Sequence, residues 1–340
     1  MNNLSTDGSS AHSQMLADQK MAKIQKVFSI KGIGHGLLSG FTYGIYSTLV
    51  AIAASYQPLS TAVGLFAAPF VCSGLNDLLS GIWLFMYNFK LGKLKELPRT
   101  LKTKSGMMMV LGFLLGGPIA NGAYLIGLAK AGVYAIPISA TNAIWGSIFA
   151  WIFFKQVPSK RVICGMLTCV VGASVIGWTP VENADNFLLG IFCALIAAIG
   201  WGMEGMFSSF GGTMLDSDVI VNLRQLISGG ISLIILVPFV HATGLLSATL
   251  QAGTPVFWLA LSGLAAGVSF VMWYKANSQI GCAMGMSLNI SYAFWGVLLG
   301  ILFLHQAITM NIIVGSLLII CGAILVTMNP LEMFKKGDEQ

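Results

Sequence analysis

Long apolar runs, separated by short polar or basic breaks, organise the chain from about residue 30 onward. The runs begin near Ile33, Ser60, Ser105, Val133, Ser159, Phe187, Asp218, Pro255, Cys282 and Thr309. They end near Ser55, Asn88, Ala129, Phe154, Trp178, Phe210, Val240, Ser278, Leu304 and Thr327. Each is long enough to cross a hydrocarbon layer about 30 Å thick. Backbone in lipid must satisfy its own hydrogen bonds, so runs of this length predict helices. The predicted fold is an all-α membrane protein with ten transmembrane helices. Residues 1–27 are polar and predict a disordered tail running into a short amphipathic piece, "KMAKIQKVFSIK". No apolar core with a small-residue cleavage site precedes the first run, so no signal peptide is expected.

The pattern repeats. Shifted by about 150 residues, "NAIWGSIFAWIFFKQ" lies over "YAFWGVLLGILFLHQ", with Trp145 on Trp295, Gly146 on Gly296 and Gln156 on Gln306. The register continues with Gly165 on Gly315 and Gly172 on Gly322. Earlier, Leu75–Gly81 lies over Leu223–Gly229, and "FTYGIY" (41–46) over "IGWGME" (199–204). Each copy holds five spans. Five is odd, so the second copy enters the membrane the other way up. The predicted domains are a cytoplasmic polar tail (1–31), a first five-helix repeat (32–178), a second five-helix repeat (187–328) and a second cytoplasmic tail (329–340). Inverted repeats of this kind typify secondary transporters, with a site near the midplane between the halves.

Composition agrees. The 340 residues are 56% hydrophobic and only 9% charged, against about a quarter charged in soluble domains. The net charge of +6 does not imply nucleic acid, because the basic residues sit at the edges of the apolar runs. Lys20, Lys23, Lys26, Lys31, Lys90, Lys93, Lys95, Arg99, Lys102, Lys104, Lys155, Lys160, Arg161, Lys335 and Lys336 fall on one side of the predicted topology, and Lys130 on the other. That bias predicts both termini in the cytoplasm. The basic loop 89–104 is expected to lie on the anionic leaflet, so membrane lipid is an expected partner. The six cysteines fall in apolar spans and are expected to pack as free thiols. No metal-spacing cluster, GxSxG or phosphate loop occurs, so neither a cofactor nor an enzyme activity is expected.

Four charges lie inside predicted spans: Asp77, Glu204, Arg224 and Lys275. A charge at a helix centre costs about 2.5–3.5 kcal/mol on insertion scales, so each implies a partner or a cavity. Lys275 lies near a helix end and is expected to snorkel. Glu204 and Arg224 lie at similar depth on consecutive helices and read either as a structural ion pair or as parts of a site. In "AAIGWGMEGM" (197–206), Trp201 and Glu204 share one helical face. The repeat places Tyr43 and Tyr46 at the matching positions, and symmetry turns both faces toward one central space. Tyr292, Trp295, Asn142 and Trp145 are at similar depth, and Tyr124 and Asn289 complete the candidate set. Aromatic walls with one carboxylate suit an organic cation, held by cation–π attraction of roughly 2 kcal/mol when desolvated. The alternative is that these rings only pack helices. Glycines 32, 36, 40 and 44 predict a close-packing face, and Pro118 and Pro137 are expected to interrupt their helices.

The ten spans, the inverted halves and the repeated "WG…G…G" pattern resemble the EamA-like drug/metabolite transporter superfamily. Within it, "GLLSGFTYG", "GGPIA", "LGIFCALIAAIGWGMEGMFSSF", "LRQLISG" and "SLNISYAFW" are similar to stretches of the Lic-type choline permeases of bacteria. The resemblance implies a small choline-like cation as substrate, with Tyr43, Trp201, Glu204 and Tyr292 around the ammonium. Departures are Tyr43 where those permeases carry Trp, the stretch "NGAYLIG" where they carry an amide-bearing one, and Gly146 in place of a fourth-span proline. Asp77 and Arg224 are candidates for coupling or gating, with protons as the candidate coupling partner. The expected function is transport of choline or a related quaternary ammonium across a bacterial inner membrane. The rival readings are an exporter of amino acids, metabolites or cationic drugs with the same fold, and a membrane enzyme or scaffold.

Overall fold

The computed structural model describes residues 6–61, 64–131, 134–178, 187–305 and 307–327, and those residues are helical with no strand. The first half contains α1 (Thr6–Ala54), α2 (Gly64–Lys90), α3 (Glu96–Leu101) and α4 (Lys104–Ala131). It continues through α5 (Ala135–Ala140), α6 (Asn142–Phe154) and α7 (Lys160–Gly177). The second half contains α8 (Phe187–Met214), α9 (Ser217–Phe239), α10 (Thr243–Ala252) and α11 (Thr254–Ile280). It ends with α12 (Cys282–Asn289), α13 (Tyr292–Leu304) and α14 (Met310–Thr327). Among the described residues nine helical segments are long and apolar enough to cross a membrane, and Ile138–Phe154 adds a shorter apolar one. Leu188, Ile234, Phe303 and Met310 are exposed on the outside of the bundle, where acyl chains would be their solvent.

The helix pairing survives exchange of the halves. Helix α1 packs on α11 and α13, while α8 packs on α4 and α6. Three further large pairs, α2 with α9, α7 with α14 and α2 with α11, are each made of one helix from either half. Details obey the same exchange. A Cβ built on Gly165 would stand 2.7 Å from the Gly322 carbonyl oxygen, and one on Gly172 would stand 2.7 Å from that of Gly315. Gly44 lies against Trp295 and Gly296, and Gly202 against Trp145 and Gly146. Helices α6 and α13 both end on a left-handed residue, Lys155 (φ 56°) and His305 (φ 52°), one repeat apart.

Several expectations are corrected. From Thr6 the polar N-terminal stretch is helical rather than disordered, and α1 runs on from it into the first span. It holds no proline and is rich in Ala, Gln, Lys and Met, all good helix formers. The fourth and ninth spans are each two helices, broken at Thr141 and at Ile290–Ser291. Neither break is at a proline. Helix α5 runs through position 137, and at Pro118 α4 only widens into a π-type turn over Leu115–Ile119. A wider turn absorbs the missing N–H without breaking the rod. In the basic stretch 89–104, Leu97 and Thr100 are buried, while Phe89, Leu91 and Leu101 are exposed. Lys275 does not snorkel, because its ammonium lies 2.9 Å from Asp218 Oδ1. Lys93 joins the same cluster, at 3.1 Å from Asp218 and 2.7 Å from Asp216. The six cysteines are free thiols, with Cys164 and Cys321 exposed. The second tail and Gln306 lie outside the described residues.

Candidate functional site

Four elements bring the buried charges together. Glu204 comes from α8, Arg224 from α9, Asp77 from α2 and Tyr274 from α11. Arg224 Nε donates to Glu204 Oε1 at 2.9 Å and Nη2 to Oε2 at 3.4 Å. Its Nη1 donates to Asp77 Oδ2 at 3.1 Å and to Gln225 Oε1. Tyr274 donates its hydroxyl proton to Glu204 Oε1 at 2.8 Å. Glu204 and Arg224 are each 1% exposed and Asp77 is 4% exposed. The guanidinium carbon also lies 4.1 Å from the centroid of Phe270. Two carboxylates share one guanidinium, so the cluster holds one surplus negative charge in its ionised form. Burial of this kind is tolerated only when every charged atom is paired or open to a polar space.

The surrounding frame is built by the repeat. Ser228 donates to Asp77 Oδ2 at 2.6 Å, and Gln225 donates to Ser80 Oγ at 2.8 Å. These are the same two positions exchanged between halves, with acid in one and amide in the other. Helix α4 approaches through its wide turn. A Cβ on Gly116 would overlap the Glu204 carboxylate, and Gly117 lies against the Ser228 side chain. Only glycine lets the backbone come this close.

Two cavities adjoin the cluster. The first, of about 370 Å³, is lined by Tyr43, Tyr124, Trp201, Glu204, Arg224 and Tyr292. Asn142 and Asn289 also reach it, one at each broken span. Tyr43 stacks on Tyr292 with centroids 4.2 Å apart and planes at 27°. Tyr124 and Trp201 meet at 5.2 Å, and Trp201 Nε1 donates to Asn121 Oδ1 at 3.1 Å. The second cavity, of about 560 Å³, is lined by Tyr46, Asn76, Asp77 and Asn121 and shares Tyr43, Tyr124 and Trp201 with the first. A layer of rings thus divides the two spaces.

The structure separates some predicted site residues from others. Tyr43, Trp201, Glu204, Tyr292, Asn142, Asn289 and Tyr124 line the first cavity, and Tyr46 and Asp77 the second. Trp145 lines neither; it lies against Gly202 and stacks on Phe149 at 6.1 Å. Its counterpart Trp295 lies against Gly44 in the same way. Both are packing residues at the crossing of an unbroken helix with a broken one. Sequence reasoning missed Phe270, Trp273 and Tyr274, which wall the cluster from α11. Phe270 and Tyr274 are four apart on one helical face, a signal that the neighbouring charge of Lys275 obscured. Among the described residues no group of three or more His, Cys, Asp or Glu side chains could hold a metal.

Residues 188–328 match the model of the EamA-like transporter family. The uncharacterized transporter YoaV of Bacillus subtilis is 27% identical over 264 residues, covering 76% of this chain and 87% of its own. The protein LicB of Haemophilus influenzae is 22% identical over 230 residues, covering 67% of this chain and 75% of its own. A solved crystal structure superposes with a TM-score of 0.65 at 16% identity, covering 86% of this chain and 97% of that one. That likeness concerns the fold.

Proposed function

From its membership of the EamA-like transporters, in the drug/metabolite transporter superfamily, we propose that this chain moves choline or a related quaternary ammonium compound by alternating access. The observation that carries the reading is the ring-walled cavity beside a buried cluster with a surplus negative charge. Tyr43, Trp201, Tyr124 and Tyr292 offer π faces to an ammonium that has no proton to donate. Desolvated rings recognise such a group where a hydrogen-bonding pocket does not. The cavity volume, about 370 Å³, lies in the range of small-molecule sites.

Glu204 acts within the cluster rather than as a lone counter-charge, since both of its oxygens accept hydrogen bonds from Arg224 or Tyr274. The cation is drawn by the field of the whole cluster. Asn142 follows the break in one span and Asn289 precedes the break in the other, and both supply polar contacts for a hydroxyl or carboxyl end. The repeats are assigned to residues 32–178 and 187–328, rocking about a shared site. The basic bias supports both termini in the cytoplasm, with a bacterial inner membrane as the proposed location. Protons are the proposed coupling partner, through Asp77 and Arg224.

Uptake of labelled choline into proteoliposomes tests the reading, with betaine, carnitine and polyamines as competitors. Saturable uptake, suppressed by one narrow class of ammonium compounds, is the expected result. Absence of saturable choline movement in either direction, with amino acids moving instead, sinks it in favour of an exporter on the same fold.

A further inference from the structure

The two carboxylates of the buried cluster are not equivalent. Both oxygens of Glu204 are engaged, by Arg224 and Tyr274. At Asp77 the hydrogen bonds from Arg224 and Ser228 both fall on Oδ2. Among the described residues, Oδ1 accepts none. Yet Asp77 is 4% exposed, and the space it lines is the second cavity, not the first. The cluster's surplus negative charge therefore has its open lone pairs on the far side of the ring layer from the first cavity. Oδ1 is not sealed in protein but opens to the cavity, where a polar or cationic group can meet it.

The walls of that cavity say what. Tyr43, Tyr46, Tyr124 and Trp201 line it, with Tyr43 and Tyr46 at 4.3 Å between centroids. Polar groups are few and neutral: Ser47, Ser60, Ser73, Asn76 and Asn121. No basic side chain lines it among the described residues. One anionic side chain among aromatic walls, in a space of about 560 Å³, favours a monovalent organic cation over an anion or a neutral solute.

We infer that the second cavity is a separate organic-cation site, with Asp77 as its counter-charge and the shared rings as its wall. Two ammonium groups would then be held on opposite faces of the layer formed by Tyr43, Tyr124 and Trp201. The ligand class rests on the proposed function; the site's geometry does not. Occupancy of the second cavity draws on Asp77, so it competes with Arg224 for that carboxylate and loosens the cluster that also holds Glu204.

The test is equilibrium binding of radiolabelled choline and of tetramethylammonium to the purified full chain. Wild type should bind two equivalents. Ser73→Phe fills only the second cavity, Ala293→Phe only the first, and each should leave one. Asp77→Asn, which keeps shape and removes the charge, should lose the same equivalent as Ser73→Phe, by at least tenfold in affinity. Ser73 lies one turn before Asp77 on α2, but Ser73→Phe leaves the Asp77–Arg224 pair in place, so this arm stands even where Asp77→Asn fails to fold. A single equivalent lost with Ala293→Phe and untouched by Ser73→Phe overturns the inference and leaves the proposed function standing. A single equivalent lost with Ser73→Phe but not with Ala293→Phe upholds the second site and removes the first. No binding of either probe overturns both.

Discussion

Arg224 and Glu204 meet side-on, with the guanidinium Nε and Nη2 facing the two carboxylate oxygens at 2.9 and 3.4 Å. Removing the Glu204 charge leaves Arg224 paired with Asp77 at 3.1 Å, but its Nε and Nη2 and the Tyr274 hydroxyl lose a charged acceptor. Glu204→Gln should therefore destabilise the fold by more than the loss of one hydrogen bond to a charged group, about 1.5–3 kcal/mol, read from thermal unfolding in detergent. A loss of that size together with weakened choline binding is expected. Full stability with lost binding would mean that Glu204 serves the ligand alone.

Tyr274 gives a milder probe of the same oxygen. Tyr274→Phe deletes one hydrogen bond to a carboxylate and keeps the ring, so it should cost about 1.5–3 kcal/mol. The melt of Tyr274→Phe should lie between those of wild type and Glu204→Gln. An unchanged melt would place the hydroxyl outside the cluster's stabilisation.

Trp201 separates π recognition from simple packing. Trp201→Ala should weaken choline binding by about thirtyfold, the equivalent of roughly 2 kcal/mol. Trp201→Phe keeps a π face and should lose much less. Both also lose the bond to Asn121, so the difference between them isolates the ring. Calorimetric titration would read it, and equal losses would argue against a π contact.

Gly116 tests the approach of α4. Gly116→Ala puts a methyl where the Glu204 carboxylate lies, and overpacking of this sort costs about 1–3 kcal/mol. The same variant should weaken choline binding, because Glu204 must shift. Gly34→Ala, with open space around its Cβ, is the control and should leave both measurements unchanged.

The polar cluster at the other end of the bundle responds to alkali. Hydrogen bonding to Asp216 is the main cause that holds Lys93 above the ordinary lysine value of 10.5. A lysine raised by folding stabilises fully below its unfolded value and stops doing so as pH passes the folded one. The melting temperature of wild type should therefore fall above pH 10.5 by more than that of Lys93→Gln. Parallel falls would remove Lys93 from the account.

Much of this molecule is legible in its sequence, for reasons that differ by feature. Spans follow from run length, because lipid leaves the backbone no alternative. The match of Trp145 and Trp295, or of Gly172 and Gly322, is visible because close backbone contacts restrict those positions to few residue types. Tyr43, Trp201 and Tyr292 are legible as a group because the repeat gives their depth and face. Harder to read is pairing between side chains far apart in the chain. Lys275 looks like a snorkelling residue until Asp218 is found beside it. Tyr274 looks like one more ring in an apolar run until its hydroxyl meets Glu204. The breaks at Thr141 and Ser291 carry no proline, so nothing local announces them.

The joint between α7 and α14 has a mechanical meaning. Four glycines meet carbonyl oxygens there, two from each arm, and Val326, Ile319, Ile176 and Cys169 pack over them from the facing rod. A seam this thin keeps its two rods within backbone contact along their length, as the spine of a book holds its covers. One added methyl at Gly165, Gly172, Gly315 or Gly322 would thicken that spine and set the angle at which the covers rest.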